Sequence, residues 1–475
     1  MDALLAIVQK INLYLSDYIL IILLIGAGLY FSIRTKFVQV RCFGEGWRRV
    51  FGNFSLKGGK HGGGMSSFQA LATAIAAQVG TGNIVGACGA ILIGGPGAIF
   101  WMWIIAFFGM ATIYAEAVLA QETRVVQADG TVQGGPVYYI KTAFKGGFGK
   151  FLAGFFAVAI ILALGFMGAM VQSNSIGEAC HTAFGIPTWV VGLIIAILAA
   201  VIFIGGVQRL ASVTEKLVPI MAFLYIIGGL IVLIARIKYI PETFGMIFKY
   251  AFVPNAIIGG GIGYALKTAI SQGVKRGLFS NEAGEGSAPN AAATAHITHP
   301  VKQGLLQSLG VFTDTLLICT CTAFIVLIAG LYNGDADGIV LTTQSLEAEI
   351  GPVGRYFITA AIFFFAYSSI IGNYFYGETN IRFVTNKPQA VFLFRIFNGG
   401  VVLAGAFMTL QETFCIVDLL MGLMTICNLI AITLLAKKTF VLLDDYKAQR
   451  KEGKDPVFHK SILTADEAKD IECWD

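Results

Sequence analysis

Long apolar segments recur along the whole of this sequence, and they constrain its fold more than any other feature. A helix needs about 20 mostly apolar residues to cross the hydrocarbon core of a bilayer. Charged residues make up 13% of the chain, whereas soluble domains carry about 25%. The sequence therefore predicts an all-α polytopic membrane protein with about eleven transmembrane helices. The segments lie at 17–33, 67–93, 97–120, 148–181, 187–206, 212–235, 257–287, 303–331, 354–383, 388–410 and 413–436.

Basic residues between these segments predict the orientation of the chain, because Lys and Arg are enriched in cytoplasmic loops. The loop between the first two segments contains Arg41, Arg48 and Lys60 among others, and is predicted to be cytoplasmic. The N-terminus then lies outside and the C-terminus, after eleven crossings, lies in the cytoplasm. The loop at 236–256 carries Lys and Arg on the predicted outer side and does not follow the rule. The excess of Lys and Arg on the predicted cytoplasmic side accounts for the net charge of +5, so no nucleic-acid partner is needed to explain it.

Two glycine-rich segments divide the chain into two blocks of five predicted helices. Blocks with an odd number of crossings face opposite ways in the membrane. Paired Gly-broken helices in such an inverted repeat point to the binding site. The predicted domains are an extra N-terminal helix with an interfacial helix at 1–65, five-helix repeats at 66–236 and 257–436, a connecting segment at 237–256, and a polar, partly disordered cytoplasmic tail at 437–475.

The stretch AAQVGTGNIVGACGA places glycines and polar residues at membrane depth. Glycine costs about 1 kcal/mol in a helix relative to alanine, and irregular backbone persists at this depth only where it is buried or lines a cavity. N–H groups of an unwound segment would suit a carboxylate, while the carbonyls before it, from Ala76 to Val79, would suit a sodium ion. The open alternative is a packing face of small residues, as at Gly82 and Gly86. The candidate binding residues are Thr81, Gly82 and Asn83, after Gly80.

The second glycine-rich segment, which includes AISQGVKRGLFSNEAGEGSAPN, contains charges, which are rare at membrane depth and mark pathways or paired networks. Glu282 and Glu285 either belong to a pathway or form ion pairs at the cytoplasmic mouth, and both interpretations stay open. Ser280, Asn281 and Glu282 can cap a broken helix. Asp314, isolated in the next segment, is expected to meet a helix end or a basic partner. The better substrate candidates lie deeper in the membrane: Ser271, Gln272 and Gly273.

Polar residues also interrupt two other apolar segments. Gln172 carries donor and acceptor atoms and can bind the charged head or a side-chain amide of an amino acid. Ser368 and Ser369 are adjacent hydroxyls that can complete an oxygen cage. Asn373 and Gly377 follow Ser369 at i+4 and i+8, on one helix face. The structural alternatives are interhelical hydrogen bonding for Gln172 and, for the serines, bonding to their own i−4 carbonyls.

Four motifs carry a resemblance to a known family. VGTGNIVG, MVQSNS, RGLFSNEAG with GSAPNAAA, and SSIIGNYFYGE, in this order and spacing, resemble the alanine/glycine:cation symporter family, also called sodium:alanine symporters. The resemblance implies a LeuT-type five-plus-five inverted repeat with one extra N-terminal helix, in the inner membrane of a prokaryote. It implies a transporter, not an enzyme, that imports a small neutral amino acid such as alanine or glycine with sodium or protons. We expect the protein to act as a monomer. An ion channel is less favoured, because it needs a continuous polar lining.

The resemblance also assigns roles to residues of this sequence. This sequence departs from the family pattern at Asn373, where alanine-selective members carry a tryptophan. Asn373, with Gly377 beside it, leaves more room and adds an amide, so the pocket is expected to accept a larger polar substrate such as glutamine. The implied sodium ligands are the carbonyls of Ala76 and Val79 and the hydroxyls of Ser368 and Ser369. The implied amino-acid contacts are Thr81, Gly82, Asn83, Gln172, residues 271–273, Ser369 and Asn373.

Overall fold

Helices make up almost all of the computed structural model, which describes residues 2–52, 65–127, 130–253, 262–332, 338–385, 387–408, 410–468 and 471–474. Each of the eleven predicted segments overlaps a helix, although the first five residues of the segment at 257–287 lie outside the described residues. The main helices are α1 (Ala6–Arg34), α2 (Phe43–Gly52), α3 (Ser67–Gln78), α4 (Gly82–Gly94), α5 (Gly97–Glu122), α6 (Gly146–Phe184), α7 (Thr188–Ile204), α8 (Gly206–Ala235), α9 (Ile262–Asn281), α10 (Pro300–Ala329), α11 (Pro352–Val384), α12 (Pro388–Gly405), α13 (Leu410–Leu434) and α14 (Ala436–Lys451). Shorter elements are the helices Val38–Arg41, Pro136–Ala143, Ile240–Phe252, Pro289–Ala292, Gly338–Ile350 and Ala465–Ala468, and the antiparallel strands β1 (Val125–Val126) and β2 (Val132–Gln133).

Within the described ranges, eight helices are long and apolar enough to cross a membrane, and α3 with α4 makes a ninth if the bent pair is one span. The chain is thus a multi-pass membrane protein. The two remaining predicted segments correspond to α7, which has 17 residues, and to α9, which carries charges. The count of eleven spans, the inverted repeat and the domain boundaries stay predictions.

The first glycine-rich segment is broken, as the sequence predicts. Ser66 and Gln69 form a reciprocal capping box that starts α3. The helix ends at Gln78, and the first break (residues 79–81) leads into α4 at an angle of 51°. The turns that follow, Gly82–Gly86, are wound more widely than an α-helix, a feature that is frequent at functional sites.

The second glycine-rich segment unwinds at the residues that the sequence predicts to cap a broken helix, and the substrate candidates before them stay helical. Helix α9 continues through residues 271–273 and ends at Asn281. Gly273 serves packing instead, since a Cβ on it would overlap the Ala98 carbonyl oxygen of α5. The chain unwinds over residues 282–288, the second break, where glycine readily adopts positive φ because it has no Cβ. The residues with positive φ are Glu282 (58°), Gly284 (93°) and Gly286 (88°).

Close helix packing brings α11 against α3 next to the first break. Small residues let helix backbones approach in a membrane protein. Gly372 of α11 lies against Ala77 of α3, where a Cβ would come within 2.7 Å of the Ala77 nitrogen. Gly405 of α12 meets the backbone of Met170 in α6 in the same way. The glycines therefore determine which polar residues of α11 and α6 reach the centre of the bundle.

The C-terminal tail is folded, in the part of it that the structure describes, and the predicted partial disorder is not seen there. Lys438 of α14 pairs with Glu122 of α5 at 2.7 Å, and both side chains are buried. The Trp474 indole N–H donates to the Gln121 carbonyl at 2.9 Å, and the Arg124 guanidinium lies 4.4 Å from the ring centroid. Apolar residues of the tail thus cover one end of the bundle, at α5 and the start of α10.

His299, just before α10, connects that helix to the tail. Its Nδ1 accepts a hydrogen bond from the Val301 N–H at 3.2 Å, and its Nε2 lies 3.2 Å from Asp445 Oδ2 of α14. The imidazole is therefore neutral and donates through Nε2. Burial lowers the pKa of His299 from 6.5 to about 4. Because the folded state binds this proton more weakly, the contribution of His299 to stability is complete above pH 6.5 and is lost as the pH falls towards 4.

We expect the free energy of unfolding to fall by about 2 kcal/mol between pH 7 and pH 5 through this histidine. His299→Asn keeps a side chain that caps a helix N-terminus but cannot titrate in this range. Unfolding of the wild type and the variant in detergent at the two pH values measures the difference. Equal pH dependence in both proteins would contradict the role of His299.

Candidate functional site

Side chains from two directions hold the backbone of the first break. The Gly80 N–H donates to Asn83 Oδ1 at 2.9 Å, and the Thr81 N–H donates to Gln172 Oε1 of α6 at 3.0 Å. These N–H groups lie at the N-terminal end of α4, where the helix dipole favours negative charge. Each N–H now meets a neutral amide oxygen, which a carboxylate can replace. The structure thus brings Gln172 and Asn83 to one unwound segment.

Carbonyl and hydroxyl oxygens gather just before the first break. Ser369 Oγ donates to the Ala77 carbonyl at 2.9 Å. Ser368 Oγ lies 3.2 Å from the Ala76 carbonyl and 2.8 Å from the Phe365 carbonyl of its own helix. The carbonyls of Ala76 and Ala77 belong to the last turn of α3, where helical partners are missing. Val79, also in the predicted sodium set, is buried in the break itself. Unwound carbonyls at the end of a half-helix are the groups that coordinate sodium in many transporters.

Gly80 is the point at which these elements come closest. A Cβ on Gly80 would overlap Ser369 Oγ of α11 and lie 3.0 Å from Gln172 Oε1 of α6. Only glycine leaves room for both side chains, because it lacks a Cβ. The glycine of this motif therefore permits α3, α6 and α11 to converge, which goes beyond packing one helix against another.

Residues that flank the two breaks touch one another. Gln78 Nε2 donates to the carbonyl of Asn281, the last residue of α9, at 3.0 Å. Gly82 faces the same turn, since a Cβ on it would lie 3.1 Å from the Cα of Ser280. From the sequence, Ser280 and Asn281 were expected only to cap a broken helix. The structure makes them neighbours of the first break.

Asp314 of α10 lies between two helix ends, as the sequence predicts, because its partners stand in the first turn of α4 and the last turn of α9. Its Oδ1 accepts a hydrogen bond from Asn83 Nδ2 at 2.6 Å. Its Oδ2 accepts bonds from Ser280 Oγ at 2.6 Å and from Thr315 Oγ1 at 2.8 Å. The partners are thus neutral polar side chains, one from each broken helix and one from α10. An acid alone in an apolar segment indicates function by default, and that signal was present in the sequence.

Three predicted substrate contacts lie apart from the first break. Helix α9 runs beside α4, and Gln272 lies near Gly94, which is about 18 Å along α4 from its start. Ser271 Oγ donates to Asp17 Oδ1 of α1 at 2.6 Å, and Gly273 packs on α5. The structure does not bring these residues to the first break, because α9 stays helical until after Asn281 and unwinds beyond them.

Among the buried polar atoms that have no hydrogen-bond partner in the described part of the chain, Thr81 Oγ1 and Asn373 Oδ1 belong to predicted substrate contacts near the first break. Asn373 lies one turn after Ser369 and beside α6, where a Cβ on Gly168 would lie 2.9 Å from Asn373 Nδ2. Both atoms can therefore accept a hydrogen bond from a ligand. Gly377, one turn further along α11, packs against α12.

Glu282 and Glu285 are buried inside the second break, away from any exposed mouth. Glu282 Oε2 accepts a hydrogen bond from Ser287 Oγ at 2.5 Å. Lys275 and Arg276 of α9 pair with acidic residues of α1 and α13. The ion pairs of α9 therefore run to these two helices. In the second break Glu282 is held by a hydrogen bond, whereas both carboxylate oxygens of Glu285 lack a hydrogen-bond partner among the described residues.

The fold and the site define a class of protein: a multi-pass helical bundle in which two unwound segments meet at a buried polar centre. A solved structure of a Na⁺-coupled sialic acid symporter, substrate-bound and outward-open, has the same fold. Its TM-score is 0.55 over 94% of both chains, at 12% sequence identity. At this identity the likeness shows the fold alone.

Sequence comparison then gives the family. The model of the sodium:alanine symporter family matches residues 1–460, and the chain belongs to this family, as its four motifs predict. It is 44% identical to the probable sodium/glutamine symporter GlnT of Bacillus subtilis, over 98% of this chain and 95% of that protein. It is 40% identical to the sodium/alanine symporter AgcS of Methanococcus maripaludis, over 91% and 94%. It is 41% identical to the putative sodium/proton-dependent alanine carrier YrbD of Bacillus subtilis, over 96% and 95%.

Proposed function

We propose that this protein imports a small neutral amino acid together with sodium, as a secondary active symporter with alternating access. The convergence at the first break carries the proposal. Serine hydroxyls of α11 lie at the carbonyl end of α3, and the N–H groups of Gly80 and Thr81 lie at the start of α4. A cation and a carboxylate can therefore bind a few residues apart on the same unwound backbone. Each ligand orders residues that the other uses, which couples their binding.

Sodium is the proposed coupling ion, bound by the carbonyls of Ala76 and Val79 and the hydroxyls of Ser368 and Ser369. The relatives GlnT and AgcS are both named for sodium. Binding requires the serine O–H groups to turn away from the carbonyls that they now meet, so that oxygen lone pairs face the ion. A hydroxyl hydrogen has this rotational freedom. Because YrbD is named for both sodium and protons, a proton gradient is the natural comparison in every uptake test.

The proposed amino-acid site is formed by the backbone N–H groups of the first break and the polar side chains beside them. The substrate carboxylate replaces the amide oxygens of Gln172 and Asn83 at the backbone N–H groups, next to Gly82 and Ser369. Thr81 Oγ1 and Asn373 Oδ1 then accept hydrogen bonds from its ammonium group or side-chain amide. Alanine, glycine and glutamine fit this chemistry, because their side chains carry no charge. The amide of Asn373 complements that of glutamine.

The proposed layout is a LeuT-type five-plus-five repeat with α1 as the extra helix, acting as a monomer in a prokaryotic inner membrane. We place the N-terminus outside and the C-terminus in the cytoplasm. Arg49, in the basic stretch after α1, donates to Tyr446 Oη of the tail at 2.9 Å. The basic stretch and the tail therefore lie on one side of the membrane, as ten intervening spans require. The positive charge of that stretch favours the cytoplasmic side.

Ser369→Ala tests the sodium site. Loss of one hydrogen-bonding group to a charged ligand costs about 1.5–3 kcal/mol, so we expect the half-saturating sodium concentration to rise at least about tenfold. The ratio of alanine to glutamine uptake is expected to change less, since the hydroxyl faces the α3 carbonyls. Initial uptake rates in proteoliposomes over a range of sodium concentrations measure both quantities.

Ser308→Ala is the control for this substitution. It removes a buried serine hydroxyl that also donates to a backbone carbonyl of another helix, Met110 O at 2.5 Å, but that lies outside the proposed site. Its sodium dependence is expected to match the wild type. Equal sodium dependence in all three proteins would remove Ser369 from the ion site.

A further inference from the structure

Glu116 of α5 is a buried acid in contact with the second break. Its Oε2 accepts a hydrogen bond from the Gly284 N–H at 3.1 Å, and its Oε1 accepts one from Asn428 Nδ2 of α13. Asn428 Nδ2 also donates to the Gly284 carbonyl at 2.9 Å. Tyr139 Oη donates to Asn428 Oδ1 at 2.5 Å. These partners orient the Asn428 amide with its nitrogen towards Glu116 and Gly284.

The cluster satisfies backbone groups that have left the helix. Gly284 has a φ of 93°, so its N–H and carbonyl no longer follow the helical pattern. Unpaired backbone groups are costly at membrane depth, and irregular backbone persists there only when other groups re-satisfy it. Glu116 supplies the acceptor from α5 and Asn428 supplies the donor from α13. The shape of the second break therefore depends on two helices that do not belong to it.

We propose that Glu116 is a positioning residue for transport, which holds the second break unwound so that Ser280 and Asn281 stay against the first break. The proposal rests on the proposed symport and extends it to a residue outside both predicted sites. Glu116 acts through Gly284 and Asn428 and does not itself contact the ion or the amino acid. Its carboxylate is required as a double acceptor, because each oxygen faces an N–H donor.

Glu116→Gln tests this role, because glutamine offers one acceptor where the cluster needs two. Whichever way the new amide is turned, its NH₂ group faces a donor of Gly284 or of Asn428. We expect the KM for the amino acid to rise about tenfold, with the maximal rate within about twofold of wild type. The half-saturating sodium concentration, measured at saturating amino acid, is expected to stay within about twofold as well, since the proposed sodium ligands come from α3, α11 and the first break.

The double variant Glu116→Gln/Asn428→Asp is the matched control. It moves the carboxylate to the other side of the hydrogen bond and keeps the net charge of a cluster that also contains Glu282 and Glu285. The oxygen at position 116 still accepts from the Gly284 N–H, but the Gly284 carbonyl loses its donor and faces a carboxylate oxygen instead. We therefore expect the KM to stay at least about tenfold above wild type. Recovery of the wild-type KM in the double variant would overturn the proposal, because the charge of the cluster, and not its hydrogen bonds to Gly284, would then be what transport requires.

Hydrogen–deuterium exchange gives a readout that needs no transport. Exchange in peptides that cover residues 282–288 is expected to be faster than in wild type both in Glu116→Gln and in the double variant. Tyr139→Phe is a milder change, which frees the Asn428 amide to turn and is expected to raise the KM about threefold. Unchanged exchange and KM in both single variants would overturn the proposal. If the wild type shows no sodium-driven uptake, the proposed function fails, and the exchange rates alone decide the positioning role.

Discussion

Gly80→Ala is expected to abolish most sodium-driven uptake, with an initial rate about 100-fold below wild type, equivalent to ~2.7 kcal/mol. Overpacking a buried site by one methyl group costs about 1–3 kcal/mol. The added methyl would take the position of Ser369 Oγ and press on Gln172 Oε1. One small substitution therefore displaces a proposed sodium ligand together with the amide that meets the Thr81 N–H. Both halves of the site are expected to be lost at once.

Gly89→Ala is the control for this prediction. Gly89 lies in α4, and a Cβ on it meets no heavy atom within 4 Å, so uptake is expected to stay within about twofold of wild type. Size-exclusion profiles of both purified variants show whether each protein is folded. Sodium-dependent uptake by Gly80→Ala at the wild-type rate would disprove the convergence of α3, α6 and α11 at this residue.

Asn373→Trp is expected to shift the substrate preference from glutamine towards alanine. Asn373 is buried beside Gly168 of α6, and an indole at this position would occupy space that the glutamine side chain needs. An indole can pack against a methyl group but leaves much of a buried amide unpaired, a loss of about 1–3 kcal/mol. We expect the alanine-to-glutamine ratio of kcat/KM to rise at least about tenfold. Competition between labelled alanine and unlabelled glutamine measures this ratio.

Asn373→Ala separates the loss of the amide from the gain of the indole. It is expected to weaken glutamine uptake without improving the KM for alanine, because it adds no wall against the methyl group. If the tryptophan variant folds and keeps the wild-type ratio, Asn373 lies outside the pocket and the glutamine preference has another origin.

The first break could be predicted from the sequence because its physical signal is strong. Gly80, Thr81, Gly82 and Asn83 stand together in an apolar segment, where irregular backbone has to be buried or functional. The sequence also predicted that the serine hydroxyls of α11 approach backbone carbonyls of the broken helix, and the family motifs named Ser368 and Ala76. The structure places Ser368 Oγ 3.2 Å from the Ala76 carbonyl.

The roles of the glycines in the second glycine-rich segment were harder to predict, because glycine has two uses in a membrane helix. Gly273 allows α9 to pack closely on α5, whereas Gly284 and Gly286 supply positive φ, and one sequence does not distinguish these uses. The partners of Asp314 and Glu116 depend on contacts between residues that are far apart in the chain. The folding of the tail likewise depends on surfaces of α5 and α10 that form only in the complete bundle.

Uptake into proteoliposomes that contain only this protein tests the central claim most directly. Labelled alanine, glycine and glutamine are each supplied with an inward sodium gradient, with equal sodium on both sides, and with a proton gradient alone. We predict that the sodium gradient drives at least one of them above its external concentration, and that equal sodium abolishes this accumulation. Accumulation of none of the three under any gradient, or a sodium current that needs no amino acid, would contradict sodium-coupled amino-acid symport.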